Sequence, residues 1–202
     1  QADCIKTGLL ENNNLIVSTP TASGKTLVAI ISALQHIENE GKIIYLSPLR
    51  ALASEKYNDF KKLESLSKPN GSSIKVSIST GDFESNSEYL KNSDIIILTN
   101  EKFDSLQRHG IKWLSQVGLI VIDEIHLIGD SYRGPTLEMI IAKMLISEHS
   151  PQILGLSATI NNVEEISDWI GAKPVVSNWR PVALSEGVFC FGQIDFKDGN
   201  PP

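Results

Sequence analysis

Cysteine is scarce in this 202-residue sequence: Cys4 and Cys190 stand at opposite ends, with no His or Cys at metal-ligand spacing. That removes a disulfide framework and a zinc site from consideration and leaves two free, buried thiols as the expectation. Aromatic residues make up only 6% and charged residues 21%, with 14 Gly and 9 Pro. Usage this ordinary excludes collagen, coiled coil and disorder, and fits one globular domain with a sizeable core. Long hydrophobic runs are also missing. Gly118 to Ile122 is short and Lys143 breaks the run from Met139 to Ile146, far from the ~20 apolar residues that span a bilayer, so no membrane partner is expected. Excess positive charge is absent too: 18 Lys and Arg against 24 Asp and Glu give a net charge of −6. A broad basic surface is therefore excluded, and any nucleic-acid contact must be local. There is no Gly-x-Ser-x-Gly elbow for acyl transfer, and adjacent acids such as Asp123 and Glu124 cannot flank a sugar as a glycosidase requires. No basic and apolar leader is read at the start, and the sequence reads as a piece of something longer.

What is present is a regular alternation. Seven short apolar runs, Leu15 to Val17, Ile43 to Leu46, Ile74 to Ile78, Ile95 to Leu98, Leu119 to Ile122, Ile153 to Leu156 and Pro174 to Val176, are separated by longer segments of helical period. Several lack polar alternation, as strands covered on both faces do, so the expected class is α/β with a mostly parallel sheet between helices. Leu27, Val28, Ile30, Ile31, Leu34 and Ile37 share one helix face that stops before Gly41. Leu52, Tyr57, Phe60, Leu63 and Leu66 form a second stripe, and Pro135 to His149 a third. After Ser177 the pattern loosens, and Asp198 to Pro202 reads as a linker to a further domain.

The first strand runs into Thr19-Pro-Thr21-Ala22-Ser23-Gly24-Lys25-Thr26 and then a helix, the context a phosphate-binding loop needs. Gly-Lys-Ser/Thr alone would occur by chance in roughly one in ten chains of this length, so the context matters more than the letters. Amides from Ala22 to Thr26 would face a hollow at a helix N-terminus, where the dipole also favours an anion. Lys25 would reach the β and γ phosphates, Thr26 would offer its hydroxyl to Mg²⁺, and Gly24 would let the backbone approach. Far downstream, the strand ending at Ile122 delivers Asp123-Glu124-Ile125-His126. Phosphoryl transfer needs one acid for the metal and another group to orient water, and these neighbours divide the roles: Asp123 for the metal, Glu124 as base.

Taken together these residues resemble the first motor domain of a superfamily 2 DExH helicase of the Ski-like class, and within it the archaeal DNA repair helicases related to the helicase part of animal polymerase theta. Thr19 to Thr26 is similar to motif I, Pro48 to Tyr57 to motif Ia, Ser79 to Asp82 to motif Ib, and Thr99 to Lys102 to the next strand-contacting motif. Asp123 to His126 resembles motif II, and Ser157-Ala-Thr159 motif III; Arg133-Gly134 and Trp179 to Val182 are further similar stretches. The resemblance implies a RecA-like domain over residues 1–178, with 179–202 leading to a second RecA-like domain that completes the ATP site with arginines. It implies ATP and Mg²⁺ as cofactors, Gln1 as an adenine reader, and a DNA repair or replication-restart helicase of 3′ to 5′ polarity acting in the cytoplasm on single-stranded or forked DNA.

Each strand motif falls just past a strand end, where ligands of open parallel sheets gather. Arg50, Thr80, Gly81, Thr99 and Lys102 are the expected holders of strand phosphates, a contact that needs no overall positive charge. Ser157 and Thr159 either sense the γ phosphate or cap the helix near Asn161 or Asn162, and His126 is assigned to coupling. His36, His109 and His149 read as surface or helix-end residues. Trp113, Trp169 and Trp179 read as core or interdomain packing. An RNA helicase of the same class, and a nucleotide-gated binding module that does not unwind, stand as alternatives.

Overall fold

The computed structural model describes residues 1–81, 87–147, 149–160, 162–182 and 185–197. Asp82 of the second strand motif, Asn161, and the end of the expected linker at 198–202 lie outside the described residues. In chain order the main elements are α1 (Ala2–Lys6), β1 (Leu15–Ser18), α2 (Lys25–Glu38), β2 (Lys42–Ser47), α3 (Arg50–Lys61), β3 (Val76–Ser79), β4 (Ile95–Thr99), α4 (Asn100–Arg108), β5 (Val117–Ile122), α5 (Gly134–Leu145), β6 (Gln152–Ser157), α6 (Val163–Ile170), β7 (Lys173–Val176), β8 (Gly187–Cys190) and β9 (Gln193–Phe196).

The seven apolar runs become seven strands of one sheet, ordered β3-β4-β2-β5-β6-β1-β7, and every pairing in it is parallel. Alternation along each strand serves two cores at once, which is why the runs carry no polar alternation. Leu15, Val17, Tyr45 and Ile97 pack with α2 and α3 on one face, whereas Ile16, Leu46, Ile96 and Leu98 pack with α4, α5 and α6 on the other. Pro174 is tolerated because β7 is an edge strand. This is the RecA-like α/β arrangement that the resemblance implies.

The periodicity reading did not mark α4, a nine-residue helix too short for a full stripe, whose start is capped by Thr99. In the segment after Ser177, β8 and β9 form an antiparallel hairpin outside the main sheet, with Val188, Phe189 and Phe191 exposed.

Sheet order differs from chain order in one consequential way. The loops after β1, β5 and β6 carry the nucleotide-type motifs, and those after β2, β3 and β4 carry the strand-type motifs. Along the chain the second set is flanked by β1 on one side and by β5 and β6 on the other, whereas in the sheet β3, β4 and β2 lie side by side, then β5, β6 and β1. The C-terminal rim of a parallel sheet is thereby split into two neighbouring halves, meeting between β2 and β5.

Candidate nucleotide and nucleic-acid site

The phosphate-loop half starts from β1. Thr19 N donates to Ser157 O at 3.2 Å, anchoring the loop to β6. Thr19 Oγ1 and Ser23 Oγ lie 2.7 Å apart, pinching the turn between them. Ala22 (φ 64°) and Gly24 (φ 90°) adopt left-handed conformations, and Gly24 caps the start of α2. Successive turns of this kind aim amides into one concavity. Lys25 Nζ donates to Thr19 O (2.8 Å) and Pro20 O (3.1 Å), which holds the ammonium within the loop. Gln1 Nε2 donates to Ser23 O at 3.1 Å, and Gln1, Lys25 and Trp179 line a pocket of about 290 Å³. Thr21 is exposed, and Thr26 Oγ1 accepts from Lys56 Nζ at 3.4 Å.

The acidic pair arrives on β5. Asp123 N donates to Leu46 O at 2.9 Å, extending the β2–β5 ladder by one step. Asp123 is 7% exposed; its Oδ2 accepts from the Tyr45 hydroxyl at 2.8 Å and its Oδ1 from Glu124 N at 3.1 Å. Burial and the neighbouring Asp123 carboxylate push the Tyr45 phenol well above its ordinary range, so it remains a donor. Glu124 sits at φ 52°, a left-handed conformation that costs a non-glycine residue about 1–2 kcal/mol and turns the chain sharply off the strand. His126 Nδ1 then lies 3.0 Å from Ser157 Oγ and 3.3 Å from Glu124 Oε2, joining the acidic motif to the end of β6.

Lys25 feels both halves of this arrangement. Burial lowers its pKa most, the Glu124 and Asp123 carboxylates oppose that, and Lys56 and Arg180 add to the lowering. Among the described residues no cluster of three or more His, Cys, Asp or Glu forms a protein cage for a metal. One buried carboxylate and one hydroxyl are hard oxygen donors, the sparse set that suits Mg²⁺ when phosphate oxygens and water complete its shell. The carboxylate retains lone pairs beyond its two hydrogen bonds, so Asp123 and Thr26 fit that role.

Ser18 Oγ donates to Ala158 O (3.3 Å) and accepts from Ile160 N (3.2 Å), holding the loop after β6 against β1. The helix-capping alternative for Ser157 and Thr159 does not stand: the N-cap of α6 is Asn162, without a side-chain bond, Ser157 is buried against His126, and Thr159 is exposed.

On the other half of the rim, Arg50, Thr80, Gly81, Thr99 and Lys102 line one groove of about 520 Å³, together with Arg108 and Arg133. Among the described residues, Arg50, Lys102, Arg108 and Arg133 line this groove with the carboxylate of Glu101, in a chain of net charge −6. Thr99 Oγ1 accepts from Lys102 N at 3.4 Å, which leaves its hydrogen available to an incoming acceptor. Lys102 is 5% exposed yet has no hydrogen-bond or ion-pair partner for its ammonium among the described residues.

A profile of the DEAD/DEAH box helicases matches residues 1–166. The chain belongs to the DEAD/DEAH box helicase family. It is 50% identical over 200 residues to the ATP-dependent DNA helicase Hel308 of Thermococcus kodakarensis, covering 98% of this chain and 17% of that protein. The helicases of the same name from Pyrococcus abyssi and Methanocella arvoryzae are 51% and 50% identical, over 98% of this chain and 27% and 26% of theirs. The chain thus spans about a quarter or less of the length of these relatives.

Several residues of this helicase domain were not singled out by the motif reading. Lys56 lies inside the stretch similar to motif Ia, but only the packing of α3 beside the phosphate loop brings it to Thr26. Tyr45 looked like one more core residue of a buried strand, and its hydroxyl is what sets it apart. Arg108 carries no sequence signal beyond the end of a helix. Other expectations need correction. His36 stands in the last turn of α2, the helix-end alternative, but not at the surface: it is 7% exposed, and its Nε2 lies 2.8 Å from Gln152 Oε1. Cys4 is buried, and burial raises its thiol pKa, but Cys190 is exposed. Trp113 packs in the core, as one alternative had it, and Trp169 and Trp179, 41% and 64% exposed, keep only the interdomain alternative.

Proposed function

We propose that this chain is the first motor domain of an ATP-dependent DNA helicase, in which residues 1–178 bind Mg-ATP and one nucleic-acid strand and residues 179–202 lead to a second RecA-like domain. One observation carries this reading. The sheet order sets a phosphate loop facing an acidic pair beside a cationic groove, so two ligands share one rigid rim.

Amides of Ala22 to Thr26 cradle the phosphates, Lys25 meets the β and γ groups, and Gln1 reads the adenine beside the loop. Thr26 and Asp123 would hold Mg²⁺, which would supply positive charge to offset that of the phosphates. The Glu124 carboxylate orients a water and accepts its proton as the new O–P bond forms and the bond to the ADP oxygen breaks. His126 and Ser157 tie the position of Glu124 to the end of β6, and Thr159 lies two residues beyond Ser157 in the loop that follows. Arg50, Thr80, Gly81, Thr99 and Lys102 grip strand phosphates without reading bases.

Arginines from a second domain are worth about 10³ to 10⁵ in rate in related phosphoryl-transfer enzymes, so the isolated domain hydrolyses ATP slowly. The names of the relatives favour DNA as the strand, 3′ to 5′ movement and a cytoplasmic role in repair or replication restart follow by resemblance, and backbone grip alone tolerates RNA. Lys25→Ala in the full-length protein should abolish strand-stimulated ATP hydrolysis. An unchanged rate removes the nucleotide-site assignment, and stronger stimulation by RNA than by DNA replaces the substrate.

A further inference from the structure

One residue of the strand groove does not come from the strand half of the rim. Arg50, Thr80, Gly81, Thr99 and Lys102 follow β2, β3 and β4, but Arg133 follows β5, ten residues after Asp123. It therefore sits on the same short segment as the acidic motif and projects into the neighbouring half.

That segment is tightly built. From Glu124 the chain enters a 3₁₀ turn, Ile125–Gly129, with Leu127 N donating to Glu124 O at 2.9 Å and Ile125 fully buried. Asp130 follows, its Oδ1 accepting from Tyr132 N (2.9 Å) and Arg133 N (2.8 Å), while Asp130 O accepts from Gly134 N at 2.8 Å. Those amide bonds hold the Asp130 carboxyl below its usual range, so it stays ionised and keeps the backbone of Arg133 in place. Gly134 closes the unit. A Cβ there would collide with Ile128 O and crowd Leu127 O, so the start of α5 lies directly against the turn that leaves the acidic motif. Asp123, Ile125 and Gly134 are buried and residues 129–133 are exposed, so it is the chain of backbone bonds just given that braces residues 123–134 and lets the segment carry a displacement instead of absorbing it.

We propose that Arg133 binds a phosphate of the strand in the groove and, through this stiff segment, links strand occupancy to the position of Asp123 and Glu124. The inference rests on the reading of the groove as a strand site. A guanidinium suits the task because it meets a phosphate with paired, charge-assisted hydrogen bonds and so fixes direction as well as charge. The link is reciprocal: a strand that pulls on Arg133 changes nucleotide affinity by the factor with which nucleotide changes strand affinity.

The test uses the full-length protein, a fluorescently labelled oligothymidylate, and fluorescence anisotropy across a salt series, with and without a non-hydrolysable ATP analogue. In the wild type, the analogue should change strand affinity at least about fivefold, the lower end of typical coupling factors. Arg133→Ala should bring that factor to near one and make the log-affinity against log-salt slope shallower by about 0.7, the loss of one single-strand phosphate contact. Arg133→Lys should recover the slope but not the full factor. Lys102→Ala serves as the groove control and should weaken binding in both nucleotide states while leaving the factor in place.

If Arg133→Ala keeps both slope and factor while Lys102→Ala weakens binding, the proposal is overturned and the groove reading stands. If Lys102→Ala and Arg133→Ala both bind as wild type does, the groove reading falls and takes the proposal with it. A wild-type factor of one also overturns the proposal.

Discussion

The hydrogen bond from Tyr45 to Asp123 joins the two halves of the rim, and removing it is a sharp test of how the acidic motif is held. Tyr45 belongs to β2 and Asp123 stands one step beyond β5, so Tyr45→Phe deletes a single oxygen at the β2–β5 seam and leaves the ring in place against Phe60. Asp123 is 7% exposed, and among the described residues its carboxylate accepts one other hydrogen bond, from Glu124 N. Hydrogen bonds to charged groups contribute about 1.5–3 kcal/mol, and little water can reach this site to replace the loss. For a chain of this size 1 kcal/mol moves the melting temperature by about 2–4 °C, so Tyr45→Phe should lower it by about 3–12 °C. A double-mutant cycle with Asp123→Ala, which removes the acceptor, read from urea unfolding followed by circular dichroism, isolates the pair. The coupling between the two changes should be about 1.5–3 kcal/mol with an unchanged denaturant slope. Additive effects, within about 0.5 kcal/mol, would refute the reasoning, because the phenol would then contribute packing alone.

Two further outcomes follow from the packing. Gln152 accepts from Ser32 Oγ (3.1 Å), meets His36 Nε2 (2.8 Å) and donates to Leu9 O (2.9 Å) and Asn13 O (2.7 Å). Gln152→Leu strands several of these buried groups at about 1–3 kcal/mol each, so urea unfolding should show a loss of at least about 3 kcal/mol, and a loss below about 1 kcal/mol would contradict the network. Gly134→Ala forces the start of α5 away from Ile128 and should cost about 1–3 kcal/mol by thermal unfolding. Gly129→Ala, where nothing lies within 4 Å of the added carbon, should stay within about 0.5 kcal/mol.

The sheet was legible from the sequence because its strands are buried on both faces. Continuous Ile, Val and Leu runs have few other uses in a chain without a membrane-length segment, and the seven runs correspond to the seven strands with shifts of a residue or two at their ends. The phosphate loop was legible because its chemistry is local: amides, glycine and lysine must be adjacent to enclose an anion. The hairpin of β8 and β9 was not, since its Val188, Phe189 and Ile194 are exposed and produce no one-sided pattern. His36 was legible as a helix-end residue but its burial was not, because a lone histidine on a helix carries no mark of the glutamine, 116 residues away, that satisfies it.

By itself, then, the chain determined what each segment is: which stretches are strands, which turn cradles phosphate, which strand ends in acids. Only the tertiary structure decided what each segment is next to. Strand order is set by which hydrophobic faces and parallel ladders close together, a long-range competition that no local spacing encodes. That order brings the loop after β1 beside those after β5 and β6 to make two adjoining halves, sets Tyr45 against Asp123 and Lys56 against Thr26, and carries Arg133 from the acidic segment into the neighbouring groove.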